Sequence, residues 1–170
     1  ENHVDNLSRN LAKRGHCVTI LTSMLPDGDL PFYEKTGDGI NIFRLKTVFP
    51  LGWLTASLSH QGFTLNTKCA IQDLVRKCGF DVVHIHGHHY YLTWRALEVL
   101  YSLGVPSVLT LHGLFALNPD QGLAIIAEKI FNSIIFRREL RKFNAVIGLT
   151  PKITRFARRY DSSSKHYTIP

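Results

Sequence analysis

The sequence predicts an α/β fold built on a parallel sheet, and three observations carry that expectation. Short, β-branched apolar runs alternate with amphipathic stretches long enough for helices, the pattern of parallel βα units. Two of the runs, Asp81–His86 and Pro106–Leu111, end in His-Gly where the chain leaves the strand, and the stretch between them is helix-patterned. A crossover joining parallel strands puts both His-Gly ends on one rim of the sheet, where ligands of open α/β sheets bind. Glycines at positions 15, 79 and 104 stand where helices must stop.

Glu1 to Arg14 reads as a helix, with Val4, Leu7 and Leu11 at helical spacing, acids near its start and Lys13 and Arg14 near its end. Cys17 to Thr22 reads as a buried strand. Pro26 to Gly39 clusters Pro, Gly and Asp without periodicity and reads as loop. Ile40 to Leu45 alternates around Asn41 and Arg44 as a strand. Pro50, Gly52 and Trp53 suggest that Phe49–Gly62 is a loop over the rim. Gln61 to Lys77 is helical, with Phe63, Ala70 and Leu74 on one side. Tyr90 to Leu103 is a helix with Leu92, Ala96, Val99 and Leu103 inward. Asp120 to Lys142 is the longest helix, with a stripe of Leu123, Ile126, Ala127, Ile130 and Ile134. Ala145 to Leu149 is a strand, Thr150 an N-cap, and Pro151 opens a basic helix. His166 to Pro170 begins a last strand. A helix-first order predicts that a strand precedes Glu1 in a longer parent.

The 170 residues suffice for one ordinary domain, and 45% apolar against 19% charged residues exclude a disordered chain. The formal net charge of +7 favours phosphorylated sugars, nucleotides, nucleic acid or acidic lipid as partners; a basic surface with no specific partner is the other reading. Cys17, Cys69 and Cys78 show no C-x-x-C spacing and are expected to be reduced, mostly buried thiols of a cytoplasmic protein. No run is long and apolar enough to span a membrane.

Five stretches, in order, resemble the landmarks of the retaining GT-B glycosyltransferases, the large group 1 or family 4 type that includes many mannosyl-, glucosyl- and galactosyltransferases and sucrose-phosphate synthases. Lys13-Arg14-Gly15-His16-Cys17-Val18 resembles the R-G-H-x-V that follows the family's glycine-rich loop and first helix. Asp81–Gly87 (D-V-V-H-I-H-G) and Leu109–Gly113 (L-T-L-H-G) are similar to the next two landmarks. Ala145–Thr150 resembles a later strand, and Tyr167-Thr168-Ile169-Pro170 the start of the I-P-N-G linker.

The resemblance implies a Rossmann-like, doubly wound N-terminal half of a GT-B fold, a single acceptor-side domain over residues 1–170, truncated at both ends and inactive by itself. It implies transfer of a sugar from a nucleoside-diphosphate sugar to a sugar or lipid-linked acceptor, with retention, completed by a C-terminal domain of the same chain. The donor is a substrate; no cofactor and no divalent metal are implied.

By resemblance His112 is the catalytic candidate, hydrogen-bonding a sugar hydroxyl near the reacting carbon; imidazole can donate or accept, and Gly113 lets backbone approach a ligand. A strand-end histidine bonded to a neighbouring loop is the plainer alternative. His84 and His86 share a strand face, and His88 continues that line if the strand extends. His86, Gly87 and His88 are therefore expected to bind substrate, with His89 on the same rim and His84 packed inside. Spacing of this kind can hold zinc, so a zinc-dependent hydrolase using His84, His86 and His112 is an alternative, although no acidic or cysteine ligand lies nearby. Glu1 would sit beside the glycine loop, where helix-start amides meet phosphate, or serve only as a favourable helix-start charge. His16 reads as structural.

Arg137, Arg138, Arg141 and Lys142, with Lys152, Arg155, Arg158 and Arg159, make the C-terminal third basic. Peripheral contact with an anionic membrane and a solvated helix face are the two readings. Nucleic acid is not expected, since no recognition module accompanies the charge. A non-catalytic sugar- or lipid-binding module is a further alternative, and no G-x-G-x-x-G supports a nicotinamide enzyme.

Overall fold

A computed structural model describes residues 2–24, 29–48, 63–64, 66–88, 90–113 and 130–170. They fall in two compact units, Glu1–Thr67 and Lys68–Pro170.

The first unit opens with helix α1 (Asn2–Lys13). It ends as its sequence dictates: Gly15 takes a φ of +86°, and the Leu11 and Ala12 carbonyls receive the N–H groups of Arg14, Gly15 and His16. Strands β1 (Thr19–Met24), β2 (Tyr33–Lys35), β3 (Asn41–Val48) and β4 (Phe63–Thr64) form a mixed sheet. β1 is parallel to β3, while β2 and β4 are antiparallel to it. Expectations change here. Phe63 and Thr64, read as part of a helix from Gln61, form β4 instead. β1 is half-buried and not a fully buried strand. The stretch read as loop from Pro26 contains β2, whose Glu34 bonds the Arg44 guanidinium at 2.7 Å while Arg44 Nη1 donates to the Pro31 carbonyl at 3.0 Å. Arg44 is therefore a nearly buried ion-pair partner with an 11% exposed side chain.

The second unit carries α2 (Thr67–Cys78), β5 (Val83–His86), α3 (Tyr91–Leu103), β6 (Ser107–Leu111), a π-helical turn Phe131–Phe136 running into α4 (Arg137–Leu140), β7 (Ala145–Gly148), α5 (Pro151–Tyr160) and β8 (Lys165–Thr168). The sheet order is β5-β6-β7-β8, every pair parallel. Alternation puts Ile85, Leu109, Leu111 and Val146 on one face, all buried. Helix α3 packs on β6, and α5 on β7 and β8. Gly104 in the left-handed region closes α3, and the Thr150 hydroxyl caps α5 by accepting from Ile153 N–H at 3.3 Å.

Side-chain phase differs in two helices. In α3 the buried residues are Thr93, Leu97, Val99 and Leu100; Leu103 faces solvent and Leu92 and Ala96 are half-buried. Of the long-helix stripe, Leu123, Ile126 and Ala127 lie outside the described residues, and Ile130 and Ile134 are exposed, Ile134 by 64%. Phe136 is wholly buried instead, ringed by His88, Trp94, Phe156 and Tyr160 with centroids 4.8 to 6.4 Å away. A π turn inserts a residue into the α-helical phase, so the inward position moves past Ile134. The three cysteines are exposed, against expectation: Cys17 lies in the turn before β1, Cys69 on the outer side of α2, and Cys78 at its last residue. Loop Phe49–Gly62 lies outside the described residues.

Candidate functional site

The parallel register aligns His84 with Val108 and His86 with Thr110. His84, His86, Val108, Thr110 and His112 thus share the sheet face opposite the buried Ile85 and Leu109. The result is a run of imidazoles at the carboxyl ends of two adjacent strands. His86 Nδ1 lies 3.1 Å from His112 Nε2. The His84 ring lies 4.2 Å from that of His86, and its Nε2 is 2.7 Å from the hydroxyl of the buried Thr110. His84 therefore is not packed inside, as expected, but is exposed beside His86.

Gly87 sets the exit from β5. Its φ is +79°, its N–H donates to the Thr110 carbonyl at 2.9 Å, and its own carbonyl accepts from the buried Thr93 hydroxyl at 2.9 Å. A Cβ there would meet the Tyr90 ring at 2.9 Å. The turn is locked to both neighbouring elements, which holds the His86 backbone in register with β6. Gly113 sits in the turn after His112, where an added Cβ would meet nothing within 4 Å among the described residues.

His88 does not join this group. The strand ends at His86, so the alternating line does not continue. His88 is 1% exposed and stacks on Phe136 at 4.8 Å, which makes it a core side chain, contrary to the expectation that it lines the cleft. Glu1 and His89 lie outside the described residues. His16 is exposed, and only its backbone N–H, donated to the Leu11 carbonyl, has a structural part.

A histidine pair of this kind relates the tautomers of its members. When both rings are neutral, a His86 Nδ1–H donating to His112 Nε2 makes His112 Nδ1 a donor; the reverse hydrogen bond makes it an acceptor. Either form suits a hydroxyl, which can donate or accept. Among the described residues no group of three or more His, Cys, Asp or Glu side chains is arranged to hold a metal ion. His86 and His112 bring ring nitrogens within hydrogen-bonding distance of each other.

Sequence reasoning missed Thr110 and Thr93, which hold His84 and Gly87. Thr110 could have been found from strand alternation, since it shares the face of His86; Thr93 carries no signal short of the fold.

Among the described residues no helix is long and apolar enough to cross a membrane. No curated protein matches the chain. Among solved structures it is similar to sucrose-phosphate synthase from Thermosynechococcus elongatus, at 18% identity and a TM-score of 0.65, covering 99% of this chain and 41% of that one. A weaker likeness, at 11% identity and a TM-score of 0.45, is to S. aureus MnaA in a co-structure with UDP, covering 89% of this chain and 43% of that one. The chain thus spans about two-fifths of the solved structures it matches. The likeness to the synthase shows the fold, a Rossmann-like N-terminal GT-B half with mixed and parallel sheets flanked by helices. The family model for Glycosyltransferase Family 4 matches residues 1–170, and the chain belongs to that family.

Proposed function

We propose that this chain forms the acceptor-side half of a retaining glycosyltransferase, which moves a sugar from a nucleoside-diphosphate donor to a hydroxyl of a sugar or lipid-linked acceptor. The observation that carries the reading is the 3.1 Å contact between His86 and His112 at the carboxyl rim of β5 and β6. Family membership supplies the reaction class, and the rim supplies a place for hydroxyl groups.

In the reaction the anomeric carbon exchanges its bond to the diphosphate oxygen for one to the acceptor oxygen, and the acceptor proton leaves with the diphosphate. His112 touches a hydroxyl of the transferred sugar, and His86 sets the His112 tautomer and orientation. Gly87 and Gly113 keep backbone bulk from the rim. By resemblance, Glu1 meets the donor phosphates. A second domain of the same polypeptide carries most of the donor site, and closure against it excludes water. The protein works in the cytoplasm without a divalent metal. Exposed Ile134 and Ile135 beside Arg137, Arg138 and Arg141 support peripheral attachment to anionic membranes.

The test is transfer and hydrolysis of UDP-, GDP- and ADP-sugars by the full-length protein in EDTA, with and without His112→Ala. Turnover that survives EDTA and falls at least about tenfold in the variant, about 1.4 kcal/mol of transition-state stabilisation, is expected. Unchanged turnover in a folded His112→Ala protein removes His112 from the mechanism, and loss of activity on adding EDTA removes the metal-independent reading. Co-sedimentation with anionic vesicles at low and high salt checks the membrane contact, which fails if nothing binds at low salt.

A further inference from the structure

The second unit has a basic cleft on the opposite rim of its sheet from the histidines. The turn Asp161–Ser164 leads into β8, so it lies at the amino ends of the strands. Together with α4 and the end of α5 it borders an open cleft of about 400 Å³ lined by Arg137, Arg141, Arg158, Arg159, Tyr160 and Asp161 and by Ser162 and Ser163 of the turn. We propose that this cleft is a binding site for a phosphate monoester, distinct from the histidine rim and independent of its chemistry.

Charge is the first argument. Four guanidinium groups face one carboxylate, and like charges gathered in a concavity focus a positive potential. Arg137, Arg158 and Arg159 have no carboxylate partner among the described residues; the Arg158 Nη2 donates only to the His166 carbonyl, at 3.2 Å. The acid of α4, Glu139, is engaged by Lys142 at 2.6 Å and by Arg138 at 3.8 Å and does not line the cleft.

The second argument is construction. Asp161 does not act as a free anion here. Its oxygens accept the N–H and O–H groups of both Ser163 and Ser164 at 2.5 to 3.1 Å, its side chain is 3% exposed, and Arg141 Nε stands 4.0 Å away. The carboxylate therefore pins the turn that forms one wall, and Ser164 Oγ ties that turn to the Leu140 carbonyl at 3.3 Å, at the end of α4. The arginines of α4 and α5 are thereby held on either side of a fixed wall.

The third argument is fit. Planar guanidinium forks match tetrahedral phosphate oxygens in paired hydrogen bonds, and the remaining three positive charges exceed what a single carboxylate needs but suit a dianion. The cleft volume is within the range of small-ligand sites and leaves space beyond one phosphate group, against the Tyr160 ring. The phosphate can belong to a soluble phosphoester or to a lipid headgroup, and the experiment separates the two.

Calorimetric titration of the full-length protein at low salt uses inorganic phosphate and glycerol phosphate as probes. Arg158→Gln with Arg159→Gln is compared with a charge-matched control, Arg76→Gln with Lys77→Gln, on exposed positions of α2 that do not line the cleft. Binding that falls at least about tenfold in the cleft variant and holds in the control is expected. Vesicles of phosphatidylcholine carrying either phosphatidic acid or an equal charge of phosphatidylserine give the second arm. A preference for phosphatidic acid that the cleft variant loses assigns a lipid source, whereas phosphate binding without that preference assigns a soluble one. Absence of binding by both phosphate probes and by phosphatidic acid overturns the proposal. So does equal weakening in the two variants, which would reflect net charge alone. Sugar transfer is read in parallel and is expected to be unchanged at saturating substrate.

Discussion

Gly148 and Thr154 meet with no room between them: a Cβ added to Gly148 would lie 2.6 Å from the Thr154 hydroxyl oxygen and 2.7 Å from its backbone nitrogen. This is where the end of β7 touches the first turn of α5. Thr154 fastens the same point: its hydroxyl can accept from the Thr168 hydroxyl at 2.9 Å while its single proton is shared between the Thr150 and Tyr167 carbonyls, each 3.2 Å away. Gly148→Ala is expected to destabilise the protein by about 1–3 kcal/mol in urea unfolding, since α5 must move outward. Thr154→Ala does not rescue it, because the backbone nitrogen stays in the way; a double variant as stable as Thr154→Ala alone would show that the hydroxyl was the whole obstacle.

Gly87→Ala tests the exit from β5. The 2.9 Å clash with Tyr90 is with the ring of an exposed side chain, which can swing aside. The φ of +79° cannot be relieved that way, so a cost of roughly 1–2 kcal/mol remains. Gly87→Asn is expected to cost less, because asparagine tolerates the left-handed region. Because the Gly87 amide fixes His86 against β6, both variants lower sugar transfer by the full-length protein in the same order as they lower stability. Equal stability of the Ala and Asn variants would mean that the ring contact, and not the backbone, sets the cost.

What was readable in the sequence follows from which physics is local. The placement of His86 and His112 on one rim needed only strand alternation and a parallel crossover, both legible in the sequence; their 3.1 Å contact was not foreseen. The caps at Gly15, Gly104 and Thr150 are equally local. Phe136 was hidden because a π turn shifts helical phase without any residue that announces it. The Arg44 ion pair was not legible because its partner Glu34 lies on a three-residue strand inside a stretch rich in turn-formers. The basic third of the chain was visible as composition. Its convergence on one cleft depends on the Asp161 turn, whose hydrogen bonds fix how α4 and α5 present their arginines.

Arg44 also supplies a stability test. Removing Glu34 leaves a guanidinium with an 11% exposed side chain and only the Pro31 carbonyl as its remaining hydrogen-bond acceptor. Glu34 itself is 40% exposed, so water reaches part of the pair and screens it. Glu34→Ala is expected to cost about 1–2 kcal/mol, with Arg44→Met in the same background recovering part of the loss. If Arg44→Met adds its full single-variant cost to Glu34→Ala, the two side chains are not coupled.

Asp161 makes acid stability a measurable property of the arginine cleft. Burial alone would raise its pKa; the hydrogen bonds from the Ser163 and Ser164 hydroxyls, followed by those from their backbone amides, overcome it and bring the carboxyl from 3.8 down to about 2. A folded-state pKa below the unfolded one means that the charged form stabilises the fold. The contribution is complete above the unfolded value and disappears as pH falls from about 4 through about 2. The shift corresponds to on the order of 2 kcal/mol. Asp161→Asn is therefore expected to be less stable by about that amount near neutral pH, and the difference from wild type should shrink steadily in the acid range. Urea unfolding of both proteins through the acid range checks this. Effects common to both proteins cancel, so the difference between them isolates Asp161. A gap that stays constant down to the lowest pH would mean that the serine turn is held by packing and not by the carboxylate charge.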